Sequence, residues 1–255
     1  MDCRIAHLSD LHFGCEDPSV VQGLQLDLQE HNPALIVVSG DLTQRARAVE
    51  FSAAKRFLTA LPFPKLVVPG NHDVPLLHLW ERFLFPFRRY STHFDTHFNP
   101  FAQVQRFAIV GINTVVPHRW KSGRISAGEF GRVSELLKAV PSDHIPILVM
   151  HHPLAEELSR PENLKWFKDL NIRIILSGHS HLERSDALIS GGKSGQPIIW
   201  IQAGTAVSLR KRGEVNSYNL IATEGSRLTV DARAWDGARF QLKIRRTFEL
   251  NVFIQ

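Results

Sequence analysis

The sequence predicts an α/β fold: two mixed β-sheets packed as a sandwich, with helices on the outside. Three observations predict it. Short β-branched runs alternate with amphipathic segments from residue 4 to residue 178. Alternating strands separated by turn residues dominate the remainder. The chain has 255 residues, 44% of them hydrophobic, which is enough for a sizeable core.

The elements follow in order. Residues 4–9 (RIAHLS), 34–40 (ALIVVSG) and 65–70 (KLVVPG) read as buried strands. Between them, 19–31 and 47–61 have helical spacing. Leu24 and Leu28 share one face of the first, and Phe51, Ala54, Phe57, Leu58 and Leu61 one face of the second. A βαβαβ order implies parallel strands joined by helical crossovers. Residues 76–105 break this pattern and read as an irregular helical insertion rich in aromatics. Trp80, Phe83, Phe85, Phe87 and Tyr90 are expected to pack there, with Arg88 and Arg89 as candidates to wall a substrate pocket. Strands are expected at 106–114, 145–150 and 172–178, with helices at 127–140 and 161–169. From residue 187, ALIS (187–190), PIIWIQAG (197–204), SYNLIAT (217–223), RLTVDARAW (227–235) and QLKIRRTFEL (241–250) read as antiparallel hairpins. SGGKSGQ (190–196) and TEGS (223–226) supply turns. With no repeat, low-complexity stretch or linker visible, one domain over 1–255 is expected.

Charge and composition narrow the function. The net charge of +5 favours anionic ligands. The densest basic clusters, LRKRGE (209–214) and KIRR (243–246), are too short for a nucleic-acid tail. Arg210 and Arg212 in the first read as a solvated hairpin cover, with an anion clamp as the alternative. Cys3 and Cys15 are expected to be free thiols. No apolar run reaches the roughly 18 residues of a membrane span. The opening MDCRIAHL lacks a secretory pattern, so a cytoplasmic protein is expected.

The chemistry gathers after the strands. The first strand runs into Asp10-x-His12, the second into Gly40-Asp41, and the third into Gly70-Asn71-His72-Asp73. Later strands end in His151-His152 and in Gly178-His179-x-His181. Open α/β sheets bind ligands at the carboxyl ends of their strands, so these clusters are expected to meet at one edge. Imidazole, carboxylate and amide oxygen together suit Mn, Fe or Zn rather than thiolate-seeking ions. The set exceeds what one ion needs. A carboxylate shared by two ions would organise a two-metal site about 3.5–4 Å across, suited to in-line attack on phosphorus. No GxSxG elbow is present, and the SGGKSG run does not fit a phosphate-binding P-loop.

The ordered blocks DxH, GD, GNHD, H and GHxH, spanning about residues 5–181, resemble the calcineurin-like metallophosphoesterase superfamily. The resemblance implies that family's αββα sandwich and a dinuclear centre. Asp10, His12 and His181 would hold one ion and Asn71, His151 and His179 the other, with Asp41 bridging. His72 would be the non-ligand histidine that stabilises the transition state or protonates the leaving oxygen, and Asp73 would orient its ring. By the family pattern the ligand is His151, the first histidine after the strand. Adjacent side chains diverge, which leaves His152 behind the ligands. GDLTQ and GNHDVP look most like bacterial class III cyclic-nucleotide phosphodiesterases. The expected activity is therefore a metal-dependent phosphodiesterase acting on a small diester, with a 3′,5′-cyclic nucleotide as a candidate. A nucleotide–lipid pyrophosphatase, with the insertion as an acyl lid, and a DNA exonuclease are alternatives. A non-catalytic scaffold is disfavoured by the complete ligand set. Of the other histidines, His7 is expected to be a core residue, and His93 and His97 are not expected to bind metal. The insertion's aromatics are also compatible with a homodimer.

Overall fold

A computed structural model describes residues 3–94, 96–153, 161–188 and 197–250. The chain opens with β1 (Cys3–Leu8), α1 (Pro18–His31), β2 (Leu35–Ser39), α2 (Ala48–Ala60) and β3 (Lys65–Val68). The three strands are parallel, as the βαβαβ order requires. A 3-10 turn, Asn71–Asp73, leads to α3 (Leu79–Leu84) and α4 (Arg88–His93). Then come β4 (Phe101–Val104), β5 (Phe107–Gly111), α5 (Ala127–Lys138), β6 (Ile145–Val149), α6 (Pro161–Asp169) and β7 (Ile174–Ser177). The chain continues through β8 (Arg184–Leu188), β9 (Ile198–Gln202), β10 (Ser217–Glu224), β11 (Arg227–Trp235) and β12 (Phe240–Glu249).

Two six-stranded mixed sheets result, ordered β12-β11-β10-β1-β2-β3 and β4-β5-β6-β7-β9-β8. Strand alternation sorts the apolar residues into three layers. Ile5, Val37 and Val68 of the first sheet meet Ile109, Ile147, Ile174 and Ile201 of the second in the central layer. The other face of the first sheet, including Leu8 and Val38, packs on Leu24 and Leu28 of α1 and on Phe51 and Leu58 of α2. The second sheet's outer face, including Leu148 and Ile175, packs on Val133 of α5 and Phe167 of α6. The sandwich with outer helices is the architecture expected from the sequence.

Local signals explain the helix ends. Asp17 caps α1 by accepting from the Ser19 and Val20 amides, and Pro18 occupies the first turn, where no amide donor is needed. Asn32 ends the helix in the left-handed conformation, φ 46°. Inside α1, the buried Asp27 carboxylate takes Arg233 of β11 on both oxygens and the Tyr218 hydroxyl of β10. That network ties α1 to the antiparallel half of its sheet.

Four expectations are corrected. The 76–105 insertion is not wholly helical: β4 pairs antiparallel with β5 through the Gln105-Arg106 turn, where Gln105 adopts φ 50°. No glycine or asparagine marks that turn, so the hairpin is silent in the sequence. The 197–204 run is not purely a hairpin strand. β9 pairs antiparallel with β8 but parallel with β7, and burial on both faces is what a parallel-sheet strand requires. The ALIS strand begins earlier, at Arg184; residues 189 and 190 and the SGGKSGQ turn lie outside the described residues. Part of the insertion packs as expected, with Tyr90 and Phe94 around Phe51 of α2. Trp80, Phe83 and Phe85 do not pack: they are exposed.

Phe51 has no exposed surface and joins α2 to α4. Phe51→Ala is expected to lower the unfolding free energy by about 3–5 kcal/mol. The check is a lower urea midpoint at an unchanged slope.

Candidate metal centre

The five loops that carry the candidate ligands all leave the carboxyl ends of parallel strands: β1, β2 and β3 in one sheet, β6 and β7 in the other. Backbone hydrogen bonds lace them together. The Asp10 amide donates to the Gly40 carbonyl at 3.1 Å and the His12 amide to the Asp41 carbonyl at 3.0 Å. The Gly178 amide donates to the His151 carbonyl at 3.0 Å. Asp10, His12, Asp41, His179 and His181 have φ of 51°, 47°, 53°, 72° and 63°. Left-handed backbone costs a non-glycine residue on the order of 1–2 kcal/mol, so the surrounding structure holds these ligands in place against their own preference. Two glycines make the approach possible. A Cβ on Gly70 would sit 2.2 Å from the Asp41 carboxylate, and one on Gly178 would sit 1.8 Å from Ser9 Oγ.

The ligand atoms form two groups that share Asp41. Asp10, His12, Asp41 and His181 make one, and Asp41, His151 and His179 the other. Asp41 Oδ2 lies 3.6 Å from His12 Nε2, while Oδ1 lies 3.3 Å from His151 Nε2. His12 Nε2 is 3.3 Å from His181 Nε2, and Asp10 Oδ1 is 3.3 Å from His181 Nε2. In the second group, Asn71 Oδ1 lies 3.1 Å from His151 Nε2 and 3.0 Å from His179 Nδ1. All seven residues that the family resemblance implies as ligands, Asp10, His12, Asp41, Asn71, His151, His179 and His181, therefore stand together.

The protonation pattern fits metal. The Nδ1 atoms of His12, His151 and His181 face the carbonyls of Thr43, Ser39 and Arg210 at 3.3, 2.8 and 2.9 Å. A carbonyl only accepts, so each Nδ1 carries the proton and each Nε2 presents a lone pair. Those lone pairs point at one another and at carboxylate oxygens. Asp10 Oδ1 is buried and has no hydrogen-bond partner among the described residues. Such crowding of acceptors is costly unless cations sit between them. Burial, helped by the neighbouring His151, pushes His179 down to about 4. Burial also works against the His151 cation, but the Asp41 carboxylate overrides it and lifts His151 to about 9, so that with no ion at hand a proton takes the place on Nε2 that an ion would otherwise fill. The donor set, nitrogen and oxygen without sulfur, fits two divalent ions.

His72 lies outside the two groups but beside them. Its amide donates to Asp41 Oδ1 at 2.8 Å, and its ring stands edge-on to His12. Asp73, however, does not orient that ring. Its carboxylate accepts from the amides of Gly70, Leu42 and Thr43 and from the Thr43 hydroxyl, clamping two ligand loops together. The ring is oriented by the Gln44 carbonyl, which accepts from Nδ1 at 2.8 Å. A backbone carbonyl leaves no mark in the sequence, which is why the neighbouring carboxylate drew the assignment.

Arg210 corrects a second expectation. It is not a solvated cover: its guanidinium donates to His72 Nε2 at 2.8 Å. The same residue's carbonyl receives His181 Nδ1. Arg212 is exposed, as expected for a hairpin cover. A cavity of about 200 Å³ opens beside His72 and Asn71, lined also by Arg45, Leu76, Trp120 and Lys121. The Trp120 carbonyl accepts from Asn71 Nδ2 at 3.3 Å, and its ring lies 4.4 Å from the Arg82 guanidinium. Trp120 and Lys121 carried no recognisable sequence signal.

The remaining candidates fall outside the cluster. His152 is buried behind the ligands with Nδ1 2.8 Å from the Thr114 hydroxyl. His7 is a core residue. Nε2 meets Ser39 Oγ at 2.9 Å, Nδ1 lacks a partner among the described residues, and burial pushes the ring down to about 3. His93 stacks on Phe51 and donates to the Arg89 carbonyl. Arg89 is committed to Glu81 and to the Ala46 carbonyl rather than to the cavity, and Arg88 is exposed.

Comparison with known proteins agrees with this geometry. A stretch of 80 residues, 27% of the chain, is 34% identical to a glycerophosphodiester phosphodiesterase of Enterobacter lignolyticus and spans 29% of that relative's length. Over 204 residues, 71% of the chain and 74% of the relative, it is 22% identical to a probable cyclic nucleotide phosphodiesterase of Synechococcus. Among solved structures, a purple acid phosphatase from yellow lupin superposes with a TM-score of 0.73 at 12% identity, over 98% of this chain and 54% of that one. A dimetal phosphatase from Danio rerio gives 0.69 at 10% identity, over 97% and 99% of the two chains. These structural likenesses establish the fold. Residues 3–183 match the calcineurin-like phosphoesterase family, the stretch that carries every ligand described above, and the chain therefore belongs to that family of metal-dependent phosphoesterases.

Proposed function

We propose that the chain is a dinuclear metal-dependent phosphodiesterase that hydrolyses a small phosphodiester, a 3′,5′-cyclic nucleotide being the leading candidate. One observation carries the reading: two ligand groups share Asp41 and open, beside His72, onto a cavity lined by cations and an exposed tryptophan. Asp10, His12, Asp41 and His181 would hold one ion, and Asp41, Asn71, His151 and His179 the other. Mn, Fe and Zn all suit this ligand set. When bound, such a pair polarises phosphoryl oxygens and lowers the pKa of attacking water.

The chain's own residues do the rest. Lys121, Arg45 and Arg210 supply positive charge to a phosphate entering the cavity, and the exposed Trp120 offers a flat face to a nucleobase. His72 keeps its Nδ1 proton on the Gln44 carbonyl. A second proton can therefore reside only on Nε2, the atom that accepts from Arg210 here, so the guanidinium must give up that bond when the ring acts as an acid. A proton delivered to the leaving oxygen comes from that nitrogen. The bacterial relatives, one a glycerophosphodiester phosphodiesterase and one a probable cyclic nucleotide phosphodiesterase, support diester over monoester substrates. A nucleotide–lipid pyrophosphatase is a second reading, favoured by the exposed apolar side chains beside the cavity.

The test is turnover of a panel by Mn-loaded protein: cyclic AMP, a nucleotide–lipid pyrophosphate, single-stranded DNA and an activated aryl diester. Cyclic AMP is expected to be turned over best. Preference for the lipid substrate selects the second reading, and absence of turnover on every member rejects both. His72→Ala is expected to cut kcat on cyclic AMP by roughly 10²–10⁴-fold. On the aryl diester, whose leaving group needs no proton, the loss is expected to be much smaller. Chelation of the loaded protein is expected to lower Tm, and added Mn to restore it, because ions bind only the folded arrangement of acceptors. An unchanged Tm would contradict the assigned ligand set.

A further inference from the structure

The segment entering and forming α3 is amphipathic the wrong way round. Leu77, Leu79, Trp80, Phe83, Leu84 and Phe85 are between 51% and 75% exposed. The charged side chains of the same helix, Glu81 and Arg82, are 5% and 1% exposed. A helix packed on a domain normally buries its apolar side and leaves charges in water. Here the inward charges are fully engaged. Arg82 donates to the carbonyls of Pro75, Pro117 and Arg119. Glu81 receives the Arg89 guanidinium on both oxygens, and Arg89 also reaches the Ala46 carbonyl. These bonds fix the helix's rotation, so its apolar face is held in solvent by design of the sequence. An exposed apolar patch of this kind marks a binding surface.

The charge around the patch identifies what it binds. Between Asp73 and Asp95 the only carboxylate in the sequence is Glu81, and Arg89 neutralises it. Arg88, exposed, follows the patch directly. On the cavity side, Arg45, Lys121 and Arg210 line the opening together with Leu76, and among the described residues no carboxylate joins them. A second copy docking symmetrically on this patch would bring these cations against their own counterparts. An anionic bilayer complements both features. Its headgroups attract the cations, and Trp80, Phe83 and Leu84 insert beneath them as interfacial aromatic and aliphatic residues do.

We propose that residues 77–85 form a membrane-docking surface for bilayers with anionic headgroups, which seats the mouth of the His72 cavity at the headgroup level. The docking does not depend on which diester is cleaved. The test is co-sedimentation of the full Mn-loaded chain with vesicles of phosphatidylcholine carrying about one quarter phosphatidylglycerol, and with phosphatidylcholine alone. Binding is expected to the mixed vesicles, weaker to the neutral ones, and reduced by about 0.5 M salt. Trp80→Ser with Phe83→Ser is expected to weaken it roughly tenfold or more, with circular dichroism and Tm retained because both side chains are exposed. Should that pair disturb the fold, Leu84→Ser carries the same expectation. The proposal is overturned if the unaltered chain ignores mixed vesicles, or if it binds them equally after substitution. It is also overturned if sedimentation shows a dimer that these substitutions split while vesicles are ignored, which would assign the patch to a second copy.

Discussion

The Asp41 carboxylate is the constraint around which the molecule is arranged. Each of its oxygens faces a different group of ligand atoms, and it also accepts the His72 amide. It is almost wholly buried, at φ 53°, with Gly70 packed so close that any side chain there would strike it. An anion so placed is tolerable only if positive charge meets it. Loops from both sheets bring imidazoles and the Asn71 amide toward it; without an ion His151 answers it as a cation, and the other groups add mainly acceptors. The fold thus assembles a concentration of negative character that two ions would complete. The parallel order of β1, β2, β3, β6 and β7 serves this end, since it points five strand termini toward one carboxylate.

The antiparallel half of the first sheet contributes through the loop between β9 and β10. The Asn216 side chain holds that loop's carbonyls at Thr205 and Ser208, and the Ser208 hydroxyl reaches the Cys15 carbonyl. The Ala206 amide donates to the Ser9 carbonyl, beside the first ligand loop. So anchored, the loop delivers Arg210 to two places at once. Its carbonyl fixes the tautomer of His181, and its guanidinium occupies His72 Nε2. One residue thereby links the ligand set to the group beside the cavity.

What could be read in the sequence follows from what each feature depends on. The ligands and the strands that carry them were legible because a buried strand ending in Asp, His or Gly-Asn leaves its pattern within a few residues. His72 was legible for the same reason. The partner of its ring was not, because the Gln44 carbonyl is backbone and any residue there would supply it. Arg210 lies far from His72 in sequence, and nothing local distinguishes it from Arg212, which is exposed. β4 escaped notice for want of a turn signal at Gln105. The inverted rotation of α3 was hidden because its direction is set by three backbone carbonyls on Arg82, those of Pro117 and Arg119 far along the chain, whereas composition alone suggests a packed aromatic segment.

Those same bonds connect the apolar surface to the candidate metal ligands. Arg82 of α3 grips the Pro117 and Arg119 carbonyls and lies under the Trp120 ring. The Trp120 carbonyl in turn holds the amide of Asn71, whose oxygen faces His151 and His179. The path from the exposed face of α3 to the second ligand group therefore runs through one arginine, one short loop and one amide. Trp120 stands at its midpoint and also lines the cavity. The surface that meets a partner and the atoms that would meet an ion are thus parts of one packed unit, and the cavity between them is where a substrate would touch both.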